Sequence, residues 1–211
     1  MSRPAPALLQ PRKSPRQTRS IVTVEAIYAA TIQVLLSEGV GKLTTTRVAE
    51  RAGVSVGTMY QYYPHKQALL FAVVERQLEM IMAAMGDVAE RLEGCDLARL
   101  GEGLAVGWID AKTADVVASR AIYGIAGEFD LSEVMHRATV RMVELIRDLL
   151  VRAPDARFED PDAVAFMVAA MLGGSVRVVM ENGVLPQHVE RLRRELPRAC
   201  QAYLAVASAS G

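Results

Sequence analysis

Apolar residues recur along this chain at helical spacing, and the period-2 alternation that marks half-buried strands is absent. The first clear stripe occupies positions i, i+3, i+4, i+7 and i+8 and consists of Ile27, Ala30, Thr31, Val34 and Leu35. This stripe predicts a helix over residues 20–37. Gly39 and Gly41 are expected to end it, because glycine readily adopts the left-handed conformation found at helix C-termini.

Residues 43–66, LTTTRVAERAGVSVGTMYQYYPHK, contain two short helical patterns separated by a turn. Thr44 is a good N-cap for the second helix of the chain, and Gly53 is expected to end that helix. Ser55 is the expected N-cap of a third helix, which runs to about Tyr62.

Pro64 interrupts this pattern, and a long helix is predicted to begin one or two residues later and to extend past Met80. Asp160 followed by Pro161 is typical of an N-cap and a first helical position. Further helices are predicted over residues 97–115, 116–127, 131–152, 160–181 and 187–207. Because Ala, Leu, Val, Met and Arg dominate and only 5% of residues are aromatic, the composition also favours helix. The sequence therefore predicts an all-α fold of about nine helices.

The formal net charge is zero, yet the charges are distributed unevenly along the chain. Residues 1–66 contain nine Lys and Arg against three Glu, a net charge of +6, and the remainder has a net charge of −6. This asymmetry indicates a polyanion-binding end and a separate acidic body. Chance combined with a basic tail is the alternative, because residues 1–19 supply five of the nine positive charges.

Residues 1–17 combine four prolines with basic side chains. Because proline blocks the hydrogen bonding of helices and sheets, this segment is predicted to be a flexible arm. It is expected either to touch phosphates or to serve as a solubilising tail. The predicted organisation is an arm over residues 1–17, a three-helix domain over residues 18–66 and a larger helical bundle over residues 67–211.

Two short helices joined by a sharp turn form a helix-turn-helix, in which the second helix lies in the DNA major groove. The inward-facing candidates are Val48, Ala52, Val54, Met59 and Tyr62. The exposed residues of the third helix would then be Val56, Gly57, Thr58, Tyr60 and Gln61. A plain helical hairpin is the alternative, because patterns of small and apolar residues of this kind also arise by chance.

The exposed side chains fit contacts that DNA-binding proteins use. Thr58 is suited to a phosphate or a base, Gln61 to the two hydrogen bonds of adenine, and Tyr60 to a phosphate. Gly57 allows the backbone to approach DNA closely, and Lys66 adds charge at a helix N-terminus, where anions are favoured. The remaining candidates open the second and third helices and are Thr44, Thr45, Thr46, Arg47, Ser55 and Val56.

A dense set of motifs runs without a gap over about residues 20–75. It comprises Thr44, Thr45, Val48 and Ala49, then Ala52 to Ser55, then Gly57, Thr58 and Tyr60, then Tyr63, and finally Lys66 and Leu69, preceded by Ala29, Leu35, Leu36 and Gly39. Together these motifs resemble the DNA-binding signature of TetR-family transcriptional regulators. One departure is Tyr62, which stands where many members have His.

The resemblance implies a three-helix DNA-binding domain on a larger C-terminal domain that binds an effector and dimerises. It also implies a homodimer on double-stranded DNA at a palindromic operator, acting as a repressor that a small molecule releases. The identity of the effector does not transfer, because the C-terminal sequence shows no comparable motif.

A dimer interface is predicted on the helix over residues 160–181, DPDAVAFMVAAMLGGSVRVVME. One apolar face of it is formed by Ala163, Met167, Ala170, Met171, Gly174 and Val178. Pairing of this face with the last helix would give a four-helix interface, and packing within one chain is the alternative. The interface candidates are Met171, Gly174, Val178, Leu192, Leu196 and Cys200.

A largely apolar effector is expected to contact methionines and aromatic residues of the C-terminal body, because methionine adapts to irregular ligands. The candidates are Trp108, Tyr123, Phe129, Met135, Met142, Phe166 and Met167. Ordinary core packing is the alternative for each of them. The glycines of the helix over residues 97–115 either loosen it for movement or allow close packing.

Several function classes are not supported by the residues. The two cysteines, Cys95 and Cys200, lack CxxC spacing and a nearby His, so neither a zinc site nor a disulfide framework is predicted, and a reducing cytoplasm is expected. No catalytic set, metal cluster or phosphate loop is recognisable, so no enzyme and no cofactor are predicted. No apolar run reaches the length of a membrane span. The competing hypotheses are an all-helical enzyme and a purely protein-binding module.

Overall fold

The computed structural model describes residues 18–126 and 130–209, and these form nine α-helices and no strand. The helices are α1 Thr18–Lys42, α2 Thr45–Ala52, α3 Val56–Tyr62, α4 Lys66–Leu92, α5 Leu97–Thr113, α6 Val116–Ala126, α7 Ser132–Arg152, α8 Pro161–Glu181 and α9 Pro186–Ala209. The prediction of an all-α chain of about nine helices is confirmed. The predicted arm over residues 1–17 lies outside the described residues.

Most helix ends lie within two residues of the predicted positions, because the capping residues act as the sequence indicates. The exception is α1, which reaches Lys42 instead of ending near Ser37. Gly39 does break the helical geometry, with φ 79° and ψ 168°, but another helical turn follows it. Asp160 accepts a hydrogen bond from the backbone N–H of Ala163, which makes it the N-cap of α8 as predicted.

The chain divides into two compact units. The described residues of Met1–Leu78 and Val117–Val134 form the first unit, and those of Glu79–Val116 and Met135–Gly211 form the second. The helix α4 contributes residues to both units.

The core of the first unit is built around the apolar face of α1. All five residues of the predicted stripe are buried, and α2 packs against α1 while α3 packs against α2. A polar cluster ties α1 to α4, since the Tyr28 hydroxyl donates to Gln77 at 2.7 Å. The Arg76 guanidinium lies 4.2 Å from the centre of the Tyr28 ring and also pairs with Glu25. These contacts fix α1, the helix against which α2 packs.

Close packing of α5 dominates the second unit. A Cβ atom on Gly101 would lie 2.9 Å from the backbone nitrogen of Gln201 in α9. Cβ atoms on Gly103 and Gly107 would meet the side chains of Leu92 and Val88 at 2.5 and 2.6 Å. The glycines of α5 therefore let neighbouring helices approach closely, which is one of the two roles considered for them.

The two cysteines differ in their surroundings. Cys200 is fully buried in α9, and burial raises the pKa of its thiol to about 11 because the charged thiolate is poorly solvated there. Cys95 is half-buried in the turn between α4 and α5. Both thiols are free.

Candidate nucleic-acid interface

The helix pair α2 and α3 is defined by its capping residues. The Thr44 hydroxyl accepts from the backbone N–H of Arg47 at 3.2 Å and so begins α2. Gly53 ends α2 in the left-handed conformation, φ 66° and ψ 30°, with its N–H bonded to the carbonyl of Glu50 at 3.2 Å. Because a side chain is strained at this φ, glycine is needed for the turn that redirects the chain into α3.

Ser55 begins α3 by accepting from the backbone N–H of Thr58 at 2.9 Å, and the two hydroxyls are also 2.9 Å apart. On one side of α3, Met59 and Tyr62 are buried, as predicted. On the other side four predicted DNA-binding residues are exposed, namely Val56, Gly57, Tyr60 and Gln61. The helix therefore presents a solvated face that is not used for packing, and Thr58 is half-buried at its edge.

Gly57 is not required by the fold of the chain. A Cβ atom at this position would meet only the Ser55 hydroxyl oxygen, at 3.7 Å, which is an ordinary van der Waals contact. The lack of a side chain on this exposed face is thus consistent with close approach of another molecule to the backbone.

Thr45 differs from the other predicted contacts because it is buried. Its hydroxyl donates to the Tyr60 hydroxyl across the helix pair, with the two oxygens 3.4 Å apart. Thr45 therefore supports the position of Tyr60, while Thr44 and Thr46 are exposed at the start of α2.

Both cations among the predicted DNA-binding residues, Arg47 and Lys66, are held at the C-terminal end of α1. Arg47 pairs with Glu38 and donates to the Lys42 carbonyl oxygen at 3.1 Å. The Lys66 ammonium group donates to the Val40 carbonyl oxygen. Their DNA contacts stay predictions, and in this structure both side chains bond to residues at the end of α1.

The start of α4 completes this region. The Nδ1 atom of His65 accepts from the backbone N–H of Ala68 at 3.1 Å, so His65 serves as the N-cap of α4. Tyr62 and Tyr63 are buried with ring centres 6.5 Å apart, and burial raises the pKa of Tyr63. The sequence placed His65 at the start of a helix, but it did not indicate the hydrogen bond between the His65 side chain and the backbone N–H of Ala68.

The predicted effector contacts differ in their burial. In the second unit Trp108 is half-buried and Met142 buried, whereas Met135, Phe166 and Met167 are exposed. Tyr123 is half-buried in the first unit, and Phe129 lies outside the described residues.

One buried cation was missed by the sequence interpretation. Lys112 is 4% exposed, and burial lowers the pKa of its ammonium group to about 8. Its nitrogen lies 5.2 Å from the centre of the Trp108 ring. The indole N–H of Trp108 is buried and has no hydrogen-bond partner among the described residues. The available signal was the position of Lys112 three residues after the fully buried Ile109, on an apolar helix face.

The predicted dimer residues separate into two groups. On α8, Met171 is half-buried, while Gly174 and Val178 are exposed, and the neighbouring Phe166 is 56% exposed. The opposite face of α8 is buried within the chain through Val164, Ala165, Val168, Leu172, Val176, Val179 and Met180. On α9, Leu196 and Cys200 lie in the core of the unit and Leu192 is half-buried. An interface on this surface would thus use the outer face of α8 and residues of α9 other than Leu196 and Cys200.

Within residues 18–126 and 130–209, no three His, Cys, Asp or Glu side chains are grouped as metal ligands. Two helical stretches, Ser20–Lys42 and Pro161–Glu181, are long and apolar enough to cross a membrane by length and composition alone. Buried core helices pass the same test, and both stretches contain buried core residues.

The chain matches two family models. Residues 27–73 match the bacterial regulatory proteins of the tetR family, and residues 96–204, just over half of the chain, match the tetracyclin repressor-like C-terminal domain.

Several relatives carry the name nucleoid occlusion factor SlmA. The protein from Glaesserella parasuis serovar 5 is 31% identical over 94 residues, which is 44% of each chain and so less than half of the relative's length. The protein from Haemophilus ducreyi is 26% identical over 186 residues, covering 84% of this chain and 88% of the relative.

Solved structures share the fold. A TetR-family transcriptional regulator from Mesorhizobium loti superposes with a TM-score of 0.70 at 19% identity, covering 90% of this chain and 98% of the other. A SmeT–triclosan complex superposes with a TM-score of 0.64 at 23% identity, covering 87% and 90% of the two chains.

Proposed function

This chain belongs to the TetR family of bacterial regulatory proteins, a DNA-binding family of transcription regulators, and on that premise we propose that it is a ligand-responsive repressor. In this proposal a homodimer binds a palindromic operator, and a small molecule in the C-terminal domain releases it from DNA. A regulator of this family acts in the cytoplasm, and the proposed partners are double-stranded DNA, a small-molecule effector and a second copy of the chain. No catalytic role is proposed.

The observation that carries operator binding is the solvated face of α3. Its start is fixed by Ser55, its inner side is anchored by Met59, and its outer side exposes Gly57, Tyr60 and Gln61. In a helix-turn-helix the residues near the N-terminus of the second helix meet the base edges. Gln61 is suited to adenine, and Gly57 to close contact with the DNA backbone.

Selection from a random DNA library, followed by fluorescence titration, tests this proposal. We expect a palindromic site with half-site centres about one helical turn apart, roughly 34–36 Å, and an affinity that falls steeply as salt rises. Gly57→Ala should weaken binding to the selected site, because its Cβ occupies space left for DNA, although the fold accommodates it. The matched control is Gly86→Ala, whose Cβ would meet nothing within 4 Å in α4.

A second variant pair separates base recognition from general charge. Gln61→Ala should reduce discrimination between the selected site and random DNA, with a loss of about 1–3 kcal/mol on the selected site. Gln187→Ala, an exposed glutamine of α9, is its control. If Gly57→Ala and Gln61→Ala both bind the selected site as tightly as the unaltered chain, α3 is not the recognition helix.

The proposed homodimer is supported by the outer face of α8. Large apolar side chains are exposed on it, including Phe166, Met167 and Val178, whereas the inner face already fills the core. Exposed apolar surface of this kind marks interaction sites, and a two-fold symmetric dimer has two recognition helices, one for each half-site of a palindrome.

Sedimentation velocity tests the interface with a matched pair of valines. Val178→Glu buries a charge in the proposed interface and should shift the protein from dimer to monomer. Val151→Glu in α7 is the control, because the two valines are 60% and 62% exposed. If Val178→Glu remains as dimeric as Val151→Glu, the outer face of α8 does not form the dimer.

Effector-controlled release is supported by the likeness to the SmeT–triclosan complex, whose name records triclosan in complex with a protein of this fold. It is tested by adding candidate ligands to the preformed DNA complex. Effector binding and DNA binding are thermodynamically linked. If an effector weakens DNA binding by a given factor, it must bind the free protein more tightly than the DNA-bound protein by that same factor.

Nucleoid occlusion is a second candidate function, favoured by the likeness to the Haemophilus ducreyi SlmA protein over 84% of this chain. A factor acting over the nucleoid should occupy many dispersed chromosomal sites, whereas a repressor should occupy promoters. Genome-wide mapping of bound sites, combined with the division pattern of a deletion strain, distinguishes the two functions.

A further inference from the structure

The outer face of α3 includes one exposed aliphatic side chain, that of Val56. Within residues 37–79, all of which the structure describes, the exposed large apolar residues are Val56 and Tyr60, at 37% and 43%. The Tyr60 hydroxyl bonds to the Thr45 hydroxyl, whereas the side chain of Val56 has no polar atom. A single exposed valine is ordinary on a protein surface, so its exposure alone does not show that it contacts a partner.

The local structure does not require a valine at this position. The helix α3 begins after its N-cap Ser55 and is anchored in the core by Met59 and Tyr62. Valine is a poorer helix former than alanine, because its branched Cβ restricts the side chain in a helix. Alanine would serve the helix itself at least as well, so the valine is better explained by what the outer face meets.

The neighbours of Val56 determine how closely another molecule approaches it. Side chains four residues apart lie side by side on a helix, so Val56 adjoins Tyr60. In the same way Gly57 adjoins Gln61. Gly57 has no side chain, and a Cβ atom there would meet only the Ser55 hydroxyl oxygen, at 3.7 Å. A surface that reaches the backbone at Gly57 therefore also covers the valine next to it.

An aliphatic side chain in the major groove has one kind of apolar group to contact. The base edges there offer hydrogen-bond donors and acceptors and, on thymine alone, a 5-methyl group. We propose that Val56 is a specificity-determining residue that packs against the 5-methyl group of one thymine in each half-site. This inference rests on the proposed function, since it names a chemical group that α3 reads in the operator. The contact requires a 5-methylpyrimidine, so 5-methylcytosine satisfies it, whereas uracil and unmodified cytosine do not.

The spacing of Val56 and Gln61 sets where this thymine lies. Five residues of α-helix advance about 7.5 Å along the axis, and successive base pairs are about 3.4 Å apart. With α3 in the major groove, the thymine is expected about two to three base pairs from the adenine that Gln61 contacts.

Deoxyuridine tests the contact directly, because it pairs as thymidine does and lacks only the 5-methyl group. Each thymine in one half-site of the DNA selected from the random library is replaced in turn. Fluorescence titration then measures binding of each duplex to the unaltered chain and to Val56→Ala. At one thymine, uracil should weaken binding of the unaltered chain about fourfold, which is the effect of one buried methyl group. At the same position Val56→Ala should lose less than about twofold, because the side chain that covers the methyl group is gone.

Two further variants control for folding and for side-chain size. Val140→Ala is the matched control, since Val140 is 39% exposed and lies in α7, outside the helix pair. It should show the same loss with uracil as the unaltered chain. Val56→Thr keeps one methyl group in a side chain of similar shape and should prefer thymine more strongly than Val56→Ala does. Circular dichroism should show that Val56→Ala is folded, as expected for an exposed position.

Cytosine methylation gives a second measurement at the same position. With a C·G pair in place of the sensitive T·A pair, the duplex with 5-methylcytosine should bind the unaltered chain about fourfold more tightly than the duplex with cytosine. Val56→Ala should not distinguish the two duplexes. An effect of the methyl group on the shape of the duplex would change the binding of both proteins equally.

The outcomes separate this inference from the proposed function. A selected site in which every thymine tolerates uracil would overturn the inference and leave operator binding intact. A uracil-sensitive thymine whose loss is the same in Val56→Ala would also overturn it, because another residue then contacts that methyl group. Failure to select any site would refute the proposed function itself, and the inference with it.

Discussion

Replacement of Gly101 by alanine should destabilise the chain through a backbone clash between α5 and α9. The added Cβ would lie 2.9 Å from the nitrogen and 3.0 Å from the Cα of Gln201. Because these are backbone atoms, the clash cannot be relieved by a side-chain rotation, and the two helices must separate by several tenths of an ångström.

The magnitude follows from two opposing contributions. Alanine in place of glycine within a helix stabilises it by about 1 kcal/mol. Overpacking of a close contact costs about 1–3 kcal/mol. Gly86→Ala, in the second-unit part of α4 with nothing within 4 Å of the new Cβ, receives only the first contribution. Gly101→Ala should therefore be less stable than Gly86→Ala by about 1–3 kcal/mol, or roughly 2–12 °C in melting temperature for a chain of this size.

Urea denaturation followed by circular dichroism measures this difference. Both variants must be compared at the same protein concentration, because dimerisation would add to the apparent stability. Two variants of equal stability, within about 0.5 kcal/mol, would show that α5 and α9 are not held as closely as the structure indicates.

Three further changes have calculable outcomes. Lys112→Met should stabilise the folded chain by up to about 3 kcal/mol at pH 7, because burial lowers the pKa of Lys112 from 10.5 to about 8. Between pH 8 and 10.5 the folded chain binds fewer protons than the unfolded chain. The gain in stability is therefore complete below pH 8 and should shrink as the pH rises through that interval. Denaturation curves that give the same gain at about pH 7 and about pH 10 would contradict this prediction. His65→Ala should lower the free energy of unfolding by about 1 kcal/mol in thermal denaturation, because the α4 N-cap is lost. His65→Asn should keep most of that stability, since asparagine is a good N-cap, and equal losses in the two variants would refute the capping role. Asp160→Ala should cost about 1 kcal/mol through the α8 N-cap and Asp160→Ser much less, as judged by urea midpoints; a neutral Asp160→Ala would show that the cap is dispensable.

The helices of the first unit were predictable because their ends are determined locally. Thr44, Gly53 and Ser55 satisfy backbone groups within three or four residues of themselves, so the sequence alone indicates where α2 and α3 begin and end. The end of α1 was less predictable, since Gly39 leaves the helical geometry but the chain forms another turn before Lys42.

The exposure of individual site residues was harder to predict. Thr45 lies in the same run as the exposed Thr44 and Thr46, yet it is buried and bonds to Tyr60, fifteen residues later in the chain. The cations Arg47 and Lys66 likewise bond to α1 through contacts that no short motif records. The division between the predicted domains after residue 66 stays a prediction.

For α8 and α9, hydrophobic periodicity identifies the apolar faces but does not identify what packs against them. The sequence separates one face of α9 from the other, but it does not say whether that face packs within the chain or against a second copy. Leu196 and Cys200 prove to fill the core of their own unit. On α8 both faces are apolar, and the predicted one is the face left exposed. The indole N–H of Trp108 has no acceptor among the described residues, and the sequence could not indicate this because an unsatisfied hydrogen bond exists only in a folded structure.

The unequal burial of the two thiols provides a means of observing this protein in solution. Cys200 is enclosed in α9 with its pKa raised to about 11, so a maleimide dye has little access to a reactive thiolate there. Cys95 is partly accessible beside the N-terminus of α5, the helix that contains Trp108. The natural sequence thus already allows labelling at one position of each chain. Energy transfer from Trp108 to a dye on Cys95 would follow the response of this unit to ligands without any engineered residue.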